Sequence, residues 1–304
     1  MRMDSPNDDP KTLRHELGLG LVVVIWGFNF AVMKGAMTEV APLAFNAVRC
    51  AISLGVLWAL QRWPRRPRVE RSFGKWLHVA AVGLLGHFIY LVLFMVGLER
   101  TSSGSAALLI ASSPLWTAAV ARLAGMERLG RLQLFGLFVS LAGTVLLVAS
   151  QGRVDFSSEA FTGNVMCAVA AAAWGAYTVS CRPLLAEFDS MSLAFRTLAC
   201  ATPFLWIVAA IEGPLDDIAT WSSEVWWAAL YAGVLSTGLA YGLWNVGVRA
   251  LGASRTAAYN YAVPVLALVV GAVFLGESVV PLQIVGGLVV FAGLLLVRRG
   301  GGRR

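Results

Sequence analysis

The chain has 304 residues, 58% of them apolar or aromatic and a further 31 of them glycine, against 13% charged. A soluble domain is about 45–50% apolar on the same count and about 25% charged. The composition therefore excludes an ordinary soluble enzyme, a disordered chain and a disulfide scaffold, and reads as a membrane-embedded protein. The net charge of +7 comes from 24 Lys and Arg against 17 Asp and Glu. These cations lie in loops and tails, so they speak to orientation in a bilayer and not to nucleic acid.

Taken in order, the chain opens with a polar stretch to Glu16. An apolar run follows that ends in Asn29 and Lys34, without a small-residue cleavage site, and reads as an uncleaved first helix. A spanning helix needs about 20 mainly apolar residues. Ten stretches qualify: 17–34, 41–60, 74–97, 102–124, 131–150, 162–181, 190–211, 223–247, 254–275 and 281–298. Proline and glycine punctuate them, among others at Pro42, Pro64, Gly130, Pro183, Pro214, Gly252 and Pro281. The longest connections, 61–73 and 212–222, are too short to bury a core, which confines the chemistry to the bundle and its rim. Cys50, Cys167, Cys181 and Cys200 show no CxxC spacing and no neighbouring histidines. No disulfide framework, metal or cofactor is expected.

With the N-terminus inside, 19 Lys and Arg fall on the cytoplasmic side and only Lys34, Arg100 and Arg153 on the other, while Arg49 and Arg196 lie within spans. The positive-inside rule then places both termini in the cytoplasm of a cell (inner) membrane protein.

A shift of 150 residues lays Gly97 on Gly247, Pro114 on Pro264, Glu127 on Glu277, Gln133 on Gln283, Gly136 on Gly286 and Gly143 on Gly293. A shift of 148 lays Trp26-Gly27 on Trp174-Gly175. The halves are duplicated units. Each has an odd number of spans, so the second enters the membrane from the opposite side. The expected fold is thus all-α and integral to the membrane, with ten transmembrane helices as two inverted five-helix repeats. A tail over 1–16 precedes a first unit over 17–150, and a second unit over 162–298 precedes a basic tail over 299–304. Such a design suits alternating access.

The run WGFNFAVMK from Trp26 to Lys34, the stretch LAFNAVRC of the second span, and the order Ser105, Pro114, Glu127, Gln133, Gly136, Gly143 with its second copy resemble the EamA-type branch of the drug/metabolite transporter superfamily. The resemblance covers essentially the whole chain. It implies a ten-helix carrier, often an exporter of amino acids or other small metabolites, and names no substrate. Spans 3 and 8 carry little of the repeat, so no pocket residue is transferred there.

Charged groups inside a bilayer are costly and usually face the bundle interior. Arg49, mid-span in the second stretch, and Arg196, a third of the way along the seventh, are candidates to hold a substrate carboxylate or phosphate; the alternative is service to helix C-terminal carbonyls or the interface. His87 lies mid-span three residues before Tyr90. No Asp or Glu lies mid-span, so His87 is the candidate for proton coupling, with a neutral imidazole bonded between helices as the other reading. Trp26, Asn29, Tyr90, Trp116, Trp174, Tyr177, Tyr241, Trp244, Asn245, Tyr259, Asn260 and Tyr261 offer aromatic faces and amides to a central cavity. Pro114 and Pro264 are equivalent interruptions and candidate hinges. Glu127 and Glu277 suit the positive ends of the helices that follow them.

No nucleotide-binding, HExxH or GxSxG motif is present, and the spans hold no paired carboxylates, which sets aside an enzyme and leaves a channel or receptor with little support. The expectation is a secondary transporter exporting a small amphipathic metabolite such as an amino acid. Phosphorylated metabolites, nucleotide-sugars or drugs are the second choice, and a multispan membrane enzyme ranks after them. Its partners are a small-molecule substrate and the lipid bilayer, with no nucleic acid; a homodimer through spans 5 and 10 is left open.

Overall fold

A computed structural model of the chain describes residues 10–61, 72–101, 103–149, 158–274 and 279–300. Glu277, the arginines between 62 and 71, both extreme tails and the side chain of Lys34 lie outside what is described. Among the described residues all regular structure is helical: α1 (Pro10–Ala36), α2 (Pro42–Leu60), α3 (Phe73–Gly83), α4 (Tyr90–Arg100), α5 (Ser103–Ile110), α6 (Ser113–Leu123) and α7 (Arg131–Ala149) make the first half. The second half is α8 (Ser158–Leu184), α9 (Ser190–Glu212), α10 (Ser223–Tyr231), α11 (Ala240–Leu251), α12 (Ala253–Ala258), α13 (Ala262–Phe274) and α14 (Pro281–Gly300). Five of the described helical runs, Pro42–Gln61, Phe73–Arg100, Ala160–Leu184, Ser190–Glu212 and Pro281–Gly300, are long and apolar enough to cross a membrane.

Irregularities fall at matching places in the two halves. A π-helical turn over Leu84–Ile89 joins α3 to α4, and another over Ala232–Leu239 joins α10 to α11. Such widened turns insert an extra residue per turn and re-aim the side chains that follow; they are frequent at functional sites. The fourth stretch breaks before α6, where Pro114 lacks an N–H to donate and sits in the first turn. The ninth breaks at a 3-10 turn over Tyr259–Tyr261, with Pro264 in the first turn of α13.

The packing exchanges the halves. α4 lies on α8 as α11 lies on α1, α6 on α8 as α13 on α1, and the first π turn on α9 as the second on α2. α2 packs on its own counterpart α9, and α7 on α14. A Cβ at Gly136 would lie 2.7 Å from the Gly293 carbonyl oxygen, and one at Gly143 2.7 Å from that of Gly286. Both residue pairs therefore meet backbone to backbone, and the reversed order of the pairs makes α7 and α14 antiparallel. The glycine faces of these two helices are consumed inside the chain, whereas Phe135, Phe138, Ile284, Leu288 and Phe291 point outward. At the start of α2 the Leu43 and Ala44 amides donate to the Glu212 carboxylate at the end of α9, so this pair is antiparallel too.

The largest apolar core is built from α1, α2, α3, α4, α8, α9, α10 and α11, and a second lies between α7 and α14 with contributions from α6 and α13. The first surrounds the polar groups described next.

Candidate functional site

Seven rings from four stretches of chain meet at the centre of the large core. Trp26 of α1 lies 5.6 Å from Trp174 of α8 and 5.2 Å from Trp244 of α11, centroid to centroid. Trp174 is 5.0 Å from Tyr90, 5.2 Å from Tyr177 and 5.3 Å from Tyr241. His87 completes the group, 5.2 Å from Tyr177 and 4.9 Å from Tyr241. Two indole N–H groups have partners: Trp26 donates to the Ser236 carbonyl at 3.0 Å and Trp244 to the Thr178 hydroxyl at 3.3 Å. The rings thus pack against one another where the sequence reading placed a cavity.

Arg49 lies beside this cluster, 3% exposed. Its Nε donates to Asn46 Oδ1 at 2.9 Å and one Nη to Thr237 Oγ at 3.2 Å. Among the described residues no carboxylate pairs with it and its second Nη has no partner. Its charge acts on His87, Tyr90 and Tyr241. A guanidinium carries five N–H donors in a planar fork suited to a carboxylate. A buried cation without a counter-ion is costly, and a carboxylate is the kind of group that would offset it.

His87 is bound from the opposite half. Its Nε2 lies 3.1 Å from Thr197 Oγ. The Thr197 hydroxyl is 2.9 Å from the Leu193 carbonyl and 3.1 Å from that of Ala194, both of which can only accept. With its single proton on one of them, its lone pair accepts from His87 Nε2–H. On that pattern we assign the Nε2–H tautomer, which makes Nδ1 an acceptor, buried and without a partner.

The two polar contacts are copies of one another. Arg49 to Thr237 joins α2 to the second π turn, and Thr197 to His87 joins α9 to the first. Residues 87 and 237 are separated by 150 positions and 49 and 197 by 148, the two offsets of the sequence repeat. The backbone follows suit: a Cβ at Gly233 would meet the Arg49 carbonyl oxygen at 2.8 Å, and one at Gly83 would collide with that of Thr197.

Other residues singled out by sequence lie elsewhere. Trp116 is 44% exposed on α6. Asn245 donates to the Ser190 carbonyl at 3.4 Å and ties α11 to the start of α9, and Asn260 donates to Ser113 Oγ at 3.2 Å beside the break before α6. Asn29 bonds within its own helix to Met33 Sδ. Tyr261 belongs to the second core, and Tyr259 packs at the margin of the first. Arg196 is held outside the cluster, its guanidinium 4.9 Å from the Trp76 ring and 5.5 Å from that of Phe188, with Nε bonded to Ser192. Sequence reasoning passed over Asn46, Thr197 and Thr237. Asn46 was within reach of it, since it stands one turn before Arg49, whereas the two threonines acquire meaning only through helices that meet in the tertiary fold.

One end of the bundle is tied across the halves. The Glu127 carboxylate accepts the Ala253 and Ser254 amides at 2.7 and 3.2 Å and pairs with Arg182 at 3.1 Å. It caps α12, not the helix that follows it in sequence, because Gly252, at φ 88°, turns the chain so that both amides face it. A Cβ on Gly252 would come within 2.7 Å of Glu127 Oε1. Nearby, Glu16 of α1 pairs with Arg255 at 2.5 Å and with Arg298 at 3.2 Å.

Against known proteins, a model of the EamA-like transporter family matches residues 15–149 and again residues 161–299. The chain is 29% identical to a "Probable terminal-alkyne amino-acid exporter" of Streptantibioticus cattleyicolor, over 92% of each protein. It is 27% identical to an "Uncharacterized transporter" of Archaeoglobus fulgidus, over 91% of this chain and 95% of that protein. Identity is 26% to a "Probable amino-acid metabolite efflux pump" of Salmonella typhimurium, over 91% of this chain and 92% of that one. A solved crystal structure shares the fold at a TM-score of 0.79 and 21% identity, covering 93% of this chain and 96% of the other.

Proposed function

This chain belongs to the EamA-like transporter family, and on that premise we propose that it is a secondary transporter exporting a small amphipathic metabolite, such as an amino acid, by alternating access. The observation that carries the reading is Arg49: a buried guanidinium with an unused Nη, beside seven aromatic rings, at a point where the two halves mirror each other. One guanidinium and an aromatic surround suit one carboxylate on an apolar body better than a multiply charged phosphate. The names of two relatives, an amino-acid exporter and an amino-acid metabolite efflux pump, support the same substrate class.

We read the chain as ten spans in two inverted units, 17–150 and 162–298, with both termini in the cytoplasm of the inner membrane. The antiparallel pairing of α2 with α9 and of α7 with α14 supports the inversion, and the distribution of Lys and Arg supports the orientation. On this reading the contacts of Glu127 and Glu16 close the cytoplasmic end, and the conformation described is shut toward the cytoplasm. Rocking of the halves about the shared centre breaks those contacts and makes their counterparts at the other end. Pro114 and Pro264 act as hinges at the breaks before α6 and in the first turn of α13.

The test is counterflow in liposomes holding the purified protein, with a pool of radiolabelled amino acids. Accumulation of one label establishes a carrier and its substrate class. Absence of counterflow in a protein that elutes as a folded species overturns the amino-acid reading. Labelling of cysteines introduced at residues 4 and 303 tests orientation: modification by an impermeant reagent from outside the cell overturns it.

A further inference from the structure

We infer that the site recognises a zwitterion by its two ends, the carboxylate through Arg49 and Asn46 and an N–H-bearing ammonium through the bare Nδ1 of His87. This rests on the transport reading above and deepens it. The pseudo-two-fold relation pairs the Arg49–Thr237 contact with the Thr197–His87 contact, so Arg49 and His87 stand at opposite ends of matching contacts, each held by a threonine of the other half. The two anchors nevertheless have opposite hydrogen-bonding character. On the Arg49 side the unsatisfied groups are donors, because Asn46 spends its oxygen on Arg49 Nε and keeps its buried Nδ2 without a partner. On the His87 side the tautomer assigned from Thr197 makes Nδ1 an acceptor, beside Tyr177, whose hydroxyl also lacks a partner. Tyr241 is tilted on the His87 ring at 4.9 Å and close enough to Arg49 for the guanidinium charge to act on it. Buried polar atoms are nearly always satisfied in a working structure, so donors on one side and an acceptor on the other define a dipolar ligand that satisfies both. The surrounding aromatic faces favour the cationic end further.

A site that bonds an N–H rejects an analogue lacking it far more strongly than an apolar pocket discriminates size. The experiment uses counterflow of leucine and phenylalanine in liposomes, each in competition with its desamino acid and with its N-trimethyl betaine, which keeps the cation but has no N–H. The wild-type protein should prefer the amino acid to both analogues. His87→Gln keeps a donor for Thr197 and removes the acceptor at Nδ1; it should lower the preference over both analogues by about tenfold or more. His87→Asn places an amide oxygen where Nδ1 was and should retain most of the preference. Arg49→Gln should lower transport of the amino acid while sparing the corresponding neutral amide relative to it. An unchanged preference in His87→Gln, with transport intact, overturns this inference alone. Failure of the wild-type protein to carry either amino acid overturns the substrate reading on which it rests, and this inference with it.

Discussion

Replacing Glu127 by Gln tests whether the contacts at the arginine-rich end hold one conformation or merely the fold. The carboxylate is 9% exposed and accepts two backbone amides; Arg182, its ionic partner, is 29% exposed. Hydrogen bonds to a charged group contribute about 1.5–3 kcal/mol each and neutral ones about 0.5–1.5 kcal/mol. A glutamine keeps at most one of the two amide bonds, sets its own NH2 against the other, and loses an ion pair that solvent screening limits to about 1 kcal/mol. The closed end therefore loses roughly 2–4 kcal/mol, a shift of roughly 30- to 900-fold between two conformations at about 1.4 kcal/mol per tenfold. The native reporter is Cys181, buried one residue before Arg182. In a protein with Cys50, Cys167 and Cys200 replaced by alanine, Glu127→Gln should speed maleimide labelling of Cys181 from the arginine-rich side by at least tenfold. A lowered thermal midpoint with unchanged labelling would refute the reasoning, because it would show the contact to be present in every conformation.

Three further outcomes follow from the packing. Gly293→Ala puts a methyl within 2.6 Å of the Gly136 carbonyl oxygen and onto Ser140. It should cost about 1–3 kcal/mol by overpacking, seen as a fall in the thermal midpoint, whereas Gly55→Ala, with nothing within 4 Å, should leave the midpoint unchanged or raise it slightly. Arg196→Gln removes two cation–π contacts worth about 0.5–2 kcal/mol in all; it should lower stability slightly and leave the selectivity of counterflow untouched, in contrast to Arg49→Gln. On the proposed reading His87 is a neutral polar contact, bonded to Thr197, edge-on to Tyr177 and tilted on Tyr241. Counterflow measured from pH 5.5 to 8 should keep the same pH dependence in His87→Gln, and loss of that dependence would return His87 to the role of proton carrier.

The amino-acid sequence by itself determined the class of protein, because burial in lipid demands apolar stretches of set length and leaves their mark in composition. It likewise determined the duplication, since Trp26 with Trp174, Pro114 with Pro264 and the glycine pairs recur at fixed offsets. Most of the aromatic centre was legible too: Trp26, His87, Tyr90, Trp174, Tyr177, Tyr241 and Trp244 are large polar-tipped or aromatic groups within the predicted spans, where little else is polar. What each polar group touches was decided only in three dimensions. Asn245, Trp116 and Arg196 resemble site residues in their surroundings along the chain, yet helix rotation turns them to the start of α9, to the surface and to Trp76. Glu127 satisfies α12, some 126 residues away, and Thr197 bonds to His87 from 110 residues away. Hydropathy reports how much of a helix is apolar, and its period reports which face; neither reports which other helix that face meets. The crossing of the two halves supplies that, and with it the meeting of Arg49 with Thr237 and of Thr197 with His87 at one pseudo-symmetric centre.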